Sequence, residues 1–123
     1  MKSEFPVVGV IGAGQLARMM IAPATALGVK LIPFASSATD SAAQITQSVI
    51  GDYTDIEAVK KFAELCDVVT FEHELIPMSI IKSLEVAGVT VRPSSESFEY
   101  SQDKQAMRKK LSHFKGPKSL VIT

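Results

Sequence analysis

The stretch GVIGAGQLARMM, residues 9–20, decides the fold. The apolar, β-branched run from Val7 to Ile11 stops at Gly12-Ala13-Gly14, and Gln15-Leu16-Ala17 begins a helical pattern. Such a run, bounded by glycines, reads as a short strand buried on both faces. A glycine turn between a strand and a helix lets a ligand approach the backbone, and a helix N-terminus offers N–H groups to acceptors.

Working outward, Leu16, Met20, Pro23 and Leu27 recur at helical spacing before Gly28, which is a suitable stop. Pro23 removes one donor, so a kink or early break is expected there. Val29–Phe34 reads as a second strand, and residues 35–47 as a loop with one helical turn. Ser48–Ile50 reads as a brief third strand. Thr54 and Glu57 match a capping box, with Ile56, Val59, Ala63 and Cys66 forming the apolar face behind them. Asp67–Phe71 reads as a fourth strand. Pro77 through Ala87, closed by Gly88, reads as a helix, and Val89–Val91 as a fifth strand. Strands alternating with helices imply an α/β, Rossmann-like, three-layer domain with a parallel sheet in the order 3-2-1-4-5.

In that order the winding reverses between strands one and four, where ligands of such sheets bind. Gly12–Ala17 flanks this crevice on one side, and TFEHE, residues 70–74, on the other. Glu72 and Glu74 would share one side of an extended strand, with His73 opposite, an alternation that can already fail at the strand end. Ordinary readings compete: a purely structural turn for the glycines, a solvated strand end for the glutamates, a packing or surface role for His73. NAD binding needs an acid at the end of strand two. Ala35-Ser36-Ser37 stands there, and Asp40 lies too far along. One His and two Glu in this order match no metal signature, so no metal ligands are assigned.

Length and composition set the bounds. The 123 residues suit one domain, and 46% hydrophobic content supports a real core. Thirteen basic residues balance thirteen acidic ones, so neither a nucleic-acid nor a membrane surface is expected. The balance is uneven along the chain. Residues 1–100 carry seven basic and twelve acidic side chains, and residues 101–123 six and one. The one cysteine, Cys66, cannot form an internal disulfide and reads as a small core residue. No signal-peptide pattern is evident, and no run approaches the roughly 20 apolar residues that span a bilayer. A cytoplasmic location is the simplest expectation.

Five segments together carry a family resemblance: GVIGAGQLARMM, DSAAQ (40–44), GDYTD (51–55), VVTFEHE (68–74) and RPSSESFEYSQDKQAMRKKL (92–111). In order and spacing they resemble 5-(carboxyamino)imidazole ribonucleotide synthases, ATP-grasp enzymes of purine biosynthesis, from about residue 7 to residue 112. The resemblance implies a Rossmann-like domain over residues 1–100 and the start of an ATP-grasp domain over residues 101–123. It implies a reaction of ATP, bicarbonate and aminoimidazole ribonucleotide, in which carboxyphosphate delivers its carboxyl to the exocyclic amine.

By the same analogy Gly14, Gln15, Leu16 and Glu72, with Glu74 as a further candidate, bind the acceptor ribonucleotide, and Lys104 contacts an ATP phosphate. The family loop usually reads G-G-G-Q-L-G. Here Ala13 and Ala17 replace two glycines, each adding a methyl near the ligand path. Residues 103–114 also read as an amphipathic helix with Met107, Leu111 and Phe114 inside and Lys109 and Lys110 solvated. The family's magnesium ligands and C-terminal domain have no counterpart here. The expectation is a fragment of the synthase, inactive alone, binding neither ATP nor Mg2+ tightly, with a tail that is mobile or forms a homodimer contact. The alternatives are a stand-alone nucleotide sensor, or the first domain of a relative such as formate-dependent glycinamide ribonucleotide transformylase. The latter carries an acid where Gln15 stands.

Overall fold

The computed structural model describes residues 5–122. Strand β1 (Val7–Ile11) leads through the glycine turn into α1 (Gln15–Ala26). Then come β2 (Lys30–Ala35), β3 (Val49–Ile50), α2 (Ile56–Ala63), β4 (Val68–Phe71), α3 (Met78–Val86), α4 (Ser95–Gln102) and α5 (Lys104–Lys110). The sheet is parallel, in the order β3-β2-β1-β4. The expected architecture is therefore present, with one correction. Residues 89–91 do lie beside β4, but they pair only through the Val69–Val91 bridge. Val69 N–H donates to Thr90 O at 2.9 Å and Arg92 N–H to Val69 O at 2.9 Å. Pro93 follows, has no N–H, and cannot extend the ladder.

The two faces of the sheet are packed differently. Val7, Ile11, Ile32, Phe34 and Val69 meet Val59 and Phe62 of α2, Ile80, Ile81 and Leu84 of α3, and Phe98 of α4. Val10 and Ala35 face the other way, onto Ala13, Ala17 and Ala42. Period-two alternation along β1 divides these sets. Large side chains hold α2 and α3 off one face, whereas alanines bring α1 close to the other. Gly9 is a point of close approach, because an added Cβ would lie 2.5 Å from Cys66 Sγ and 2.8 Å from Phe62 Cζ.

Three local expectations are corrected. Helix α1 does not break at Pro23 but runs on to Ala26. Its inward residues are Ala17, with Met20 and Ile21 against the alanine cluster; Leu16 and Leu27 are exposed. The N-cap of α2 is Asp55, which accepts from the N–H groups of Glu57 and Ala58. Thr54 is not the cap, because its N–H and hydroxyl both donate to Asp52 Oδ1, at 2.8 and 2.7 Å. A carboxylate one residue nearer the helix outcompetes a hydroxyl already engaged. Helix α5 ends at Lys110 and buries none of its residues. Leu111 and Phe114, expected inside, are exposed, and the Phe114 ring lies 4.2 Å from that of His113. Among the described residues no helix is long and apolar enough to cross a membrane.

Candidate functional site at the ends of β1 and β4

Strands β1 and β4 end side by side, with Ile11 opposite Phe71. The pairing runs one residue further, as Glu72 N–H donates to Ile11 O at 3.0 Å. Beyond this point the two chains diverge around the Glu72 carboxylate. Gly12 turns with φ +112°, in the region open to glycine, while its N–H donates to Phe34 O at 3.0 Å. Gly14 N–H donates to Glu72 Oε2 at 2.7 Å. A Cβ at Gly12 would come within 2.6 Å of Glu72 Oε2, and one at Gly14 would strike Oε1. The two glycines therefore form a cradle for a carboxylate from the neighbouring strand. The N-terminus of α1 lies beside it, since Gly14 is the N-cap of that helix.

Gln15 stands at the first turn of α1, and its Oε1 accepts from Ser41 Oγ at 3.2 Å. Arg18 Nη1 donates to Ser41 O at 3.2 Å, and Ala42 N–H to Ala13 O at 2.8 Å. The 35–47 loop is thus laced to the glycine turn. Asp40 folds back toward the end of β2, but its Oδ2 accepts from the N–H groups of Ser36 and Ser37 at 2.9 and 3.1 Å. It serves that turn rather than a ribose. Ala13 and Ala17, expected to crowd the ligand path, bury their methyls in the alanine cluster instead.

Because β4 stops at Phe71, strand alternation does not apply to residues 72–74. His73 is not opposite Glu72: a Cβ on Gly12 would meet both side chains, with His73 Cδ2 at 3.4 Å, and Glu72, His73 and Glu74 all line one cleft of about 260 Å³, with Phe71, Phe98 and Ser101 as further wall. The His73 ring meets Tyr53 edge-on at 5.5 Å, and its Nδ1 accepts from Leu75 N–H at 3.3 Å. Glu74 is exposed, and its carbonyl, together with that of Ile76, accepts from Gln102 Nε2 at 2.8 and 2.7 Å. Sequence reasoning missed Tyr53, Ser101 and Gln102, because only the fold brings the 53, 73 and 101 regions together.

Of the predicted residues, the fold unites Gly14 and Glu72 directly and sets Glu74 in the cleft wall, while Gln15 is held by Ser41. Leu16 is 60% exposed on α1. Lys104 is not in the Glu72 cleft. It lines a separate hollow of about 860 Å³ with Lys82, Glu96, Glu99 and Asp103, and a second one with Arg108 and Lys109. Among the described residues no three His, Cys, Asp or Glu side chains gather as a metal donor set.

The model of the ribonucleotide synthetase preATP-grasp domain matches residues 5–102, which contain every residue lining this cleft. The chain belongs to the ribonucleotide synthetase preATP-grasp family. This preATP-grasp chain is 44% identical over 107 residues to N5-carboxyaminoimidazole ribonucleotide synthase of Mycobacterium tuberculosis, an alignment covering 86% of the chain and 25% of that protein. The synthase of Corynebacterium ammoniagenes is 39% identical over 113 residues, covering 91% of the chain and 27% of the relative. The chain thus spans about a quarter of the length of the curated relatives it matches. Among solved structures, N5-carboxyaminoimidazole synthase from Aspergillus clavatus in complex with ADP and 5-aminoimidazole ribonucleotide superposes with TM-score 0.78 at 29% identity. That match covers 89% of this chain and 29% of the other. The motif resemblance read from the five segments is borne out.

Proposed function

We propose that this preATP-grasp domain supplies the acceptor-binding part of an ATP-dependent ligase that carboxylates aminoimidazole ribonucleotide with bicarbonate, giving N5-carboxyaminoimidazole ribonucleotide. The observation that carries the reading is the Gly14–Glu72 junction at the point where the winding of the sheet reverses. Glu72 keeps acceptor capacity beyond its bond from Gly14, so it can take hydrogen bonds from a ribose hydroxyl or an amine. Gln15 and the exposed Glu74 add polar groups at the rim, and Leu16 gives an apolar edge.

The work of these residues is orientation. Holding the exocyclic amine where an activated carboxyl arrives lowers the barrier without any proton being moved by Glu72. Residues 1–100 form the acceptor domain in this reading, and residues 101–123 begin the ATP-grasp part. Lys104, standing beside Arg108 and Lys109, fits contact with an ATP phosphate. ATP supplies the activation of bicarbonate when bound. No phosphoryl-transfer step is assigned to these residues.

The test is an NMR titration of the 123-residue chain with aminoimidazole ribonucleotide, NAD and ATP in separate arms. Expected are weak, saturable shifts at Gly14, Gln15 and Glu72 with the ribonucleotide alone, abolished by Glu72→Gln. In a chimaera carrying residues 5–102 in the Mycobacterium tuberculosis synthase, ATP hydrolysis should depend on the ribonucleotide. A folded chimaera whose ATP hydrolysis ignores it, or tight binding of NAD or ATP alone by the domain, would overturn the reading.

A further inference from the structure

We propose that Gln102 is a positioning residue that ties the acceptor turn after β4 to the start of α5, so that Lys104 moves with the turn that carries Glu72. This goes beyond the proposed function and rests on it only for the identity of the ligand. The primary amide of Gln102 has two hydrogens, and both are committed to the turn, one to Glu74 O at 2.8 Å and one to Ile76 O at 2.7 Å. These two carbonyls bracket Leu75, whose N–H is bound to His73 Nδ1. One side chain therefore spans the outer half of the turn, 26 and 28 residues away in sequence.

On its other side Gln102 is the last residue of α4. Asp103 breaks the helix with φ −111° and ψ 97°, yet its own N–H still reaches Glu99 O at 2.8 Å. Its Oδ1 accepts from Ala106 N–H at 2.9 Å and so caps α5, of which Lys104 is the first residue. Among the described residues no hydrogen bond from α5 reaches the body of the domain, so its placement depends on this junction. A shift of the turn on binding a ligand at Glu72 is passed through Gln102 to Asp103 and on to Lys104, a contiguous path of hydrogen bonds and backbone. Gln102 is an exposed residue at the end of α4, so the effect of losing its bonds is local.

The experiment compares the wild-type chain with Gln102→Glu, which keeps the length but loses both donors when ionised, and Gln102→Lys, whose ammonium restores donors. At neutral pH, Q102E should exchange the Leu75 amide about tenfold faster. It should also shift the Ala106 amide resonance, while the Val10 and Val69 amides of the sheet stay protected. Q102K should return both signals toward wild type. Unchanged Leu75 exchange, or a Leu75 change with Ala106 unmoved, in a folded Q102E chain would overturn the proposal. Should Q102E not fold, Gln102→Ala carries the same prediction. In the wild type, aminoimidazole ribonucleotide should move Ala106 as well as Gly14, and in Q102E Gly14 alone. Movement of Ala106 in both would overturn the link. Failure of the ribonucleotide to bind any version would sink the proposed function, while Leu75 and Ala106 would still decide the role of Gln102.

Discussion

Gly12 and Gly14 face the same carboxylate but are glycines for different reasons. Gly12 has φ +112°, so a side chain there is strained before it meets Glu72. Gly14 has φ −78°, which any residue adopts, and its constraint is the Glu72 carboxylate alone. Gly12→Ala should therefore destabilise the domain by about 1–3 kcal/mol, read as a lower urea midpoint. Gly14→Ala should cost less than Gly12→Ala, because only the flexible Glu72 side chain has to yield. It should nevertheless displace Glu72 and move the residue 14 amide resonance, because the bond from that N–H to Glu72 Oε2 is lost. Equal loss of stability in both variants would refute the distinction. Cys66 is the other residue with a decided chemistry. Burial, aided by the neighbouring Asp67 charge, pushes its thiol up to about 11. The folded chain thus holds this proton while an unfolded thiol, near 9, releases it. The resulting penalty is absent below pH 9 and grows as pH rises from 9 to 11. Thiol-specific reagents should label Cys66 slowly at neutral pH, and Cys66→Ser should flatten the fall in stability across that window.

At the scale of elements, a cap and a clamp decide what pattern alone could not. Asp55, rather than Thr54, ends the open donors of α2. Asp55→Ala should cost about 1 kcal/mol, whereas Thr54→Ala should lower the thermal midpoint less, since Thr54 only closes the Asp52 turn. The reverse order would restore the capping box. Helices α3 and α4 are joined by Glu85, whose carboxylate accepts from Ser95 N–H at 2.7 Å and Ser95 Oγ at 2.6 Å. The Ser95 hydroxyl first, then its N–H, hold the Glu85 carboxyl below the usual glutamate range, with smaller help from Arg92 and Lys82. A depressed carboxyl stabilises the fold above its ordinary value and loses that contribution as pH falls through the folded value. Acid unfolding of Glu85→Gln, followed by circular dichroism, should therefore be less steep below pH 4.5 than that of the wild type. Both contacts form only once the chain has folded, so neither is visible as a spacing. The strand–helix alternation was legible because period two and period 3.6 are written in β1, α2 and α3 themselves.

At the scale of the whole molecule, the charge asymmetry and the exposed tail belong together. Phe114, Leu120 and Ile122 are 65%, 86% and 89% exposed, on a segment that follows the basic face of α5. If this segment associates between copies, sedimentation should show a concentration-dependent dimer, and Phe114→Ser with Leu120→Ser should abolish it without changing the melting of the domain. A wild-type chain that stays monomeric at millimolar concentration would leave only a mobile tail. The sequence by itself determined the layer architecture, the parallel order of four strands and the meeting of the glycine turn with the 72–74 segment. Apolar periodicity and right-handed crossovers leave few other arrangements. Only the tertiary structure decided that Glu72 enters the glycine cradle, that His73 turns to the same cleft, and that Gln102 grips the far side of that turn. It also decided that Val89–Val91 contributes one bridge and not a strand. Such contacts join residues tens of positions apart, and their geometry depends on how close the packed layers bring the backbones, a distance set by alanines on one face and phenylalanines on the other.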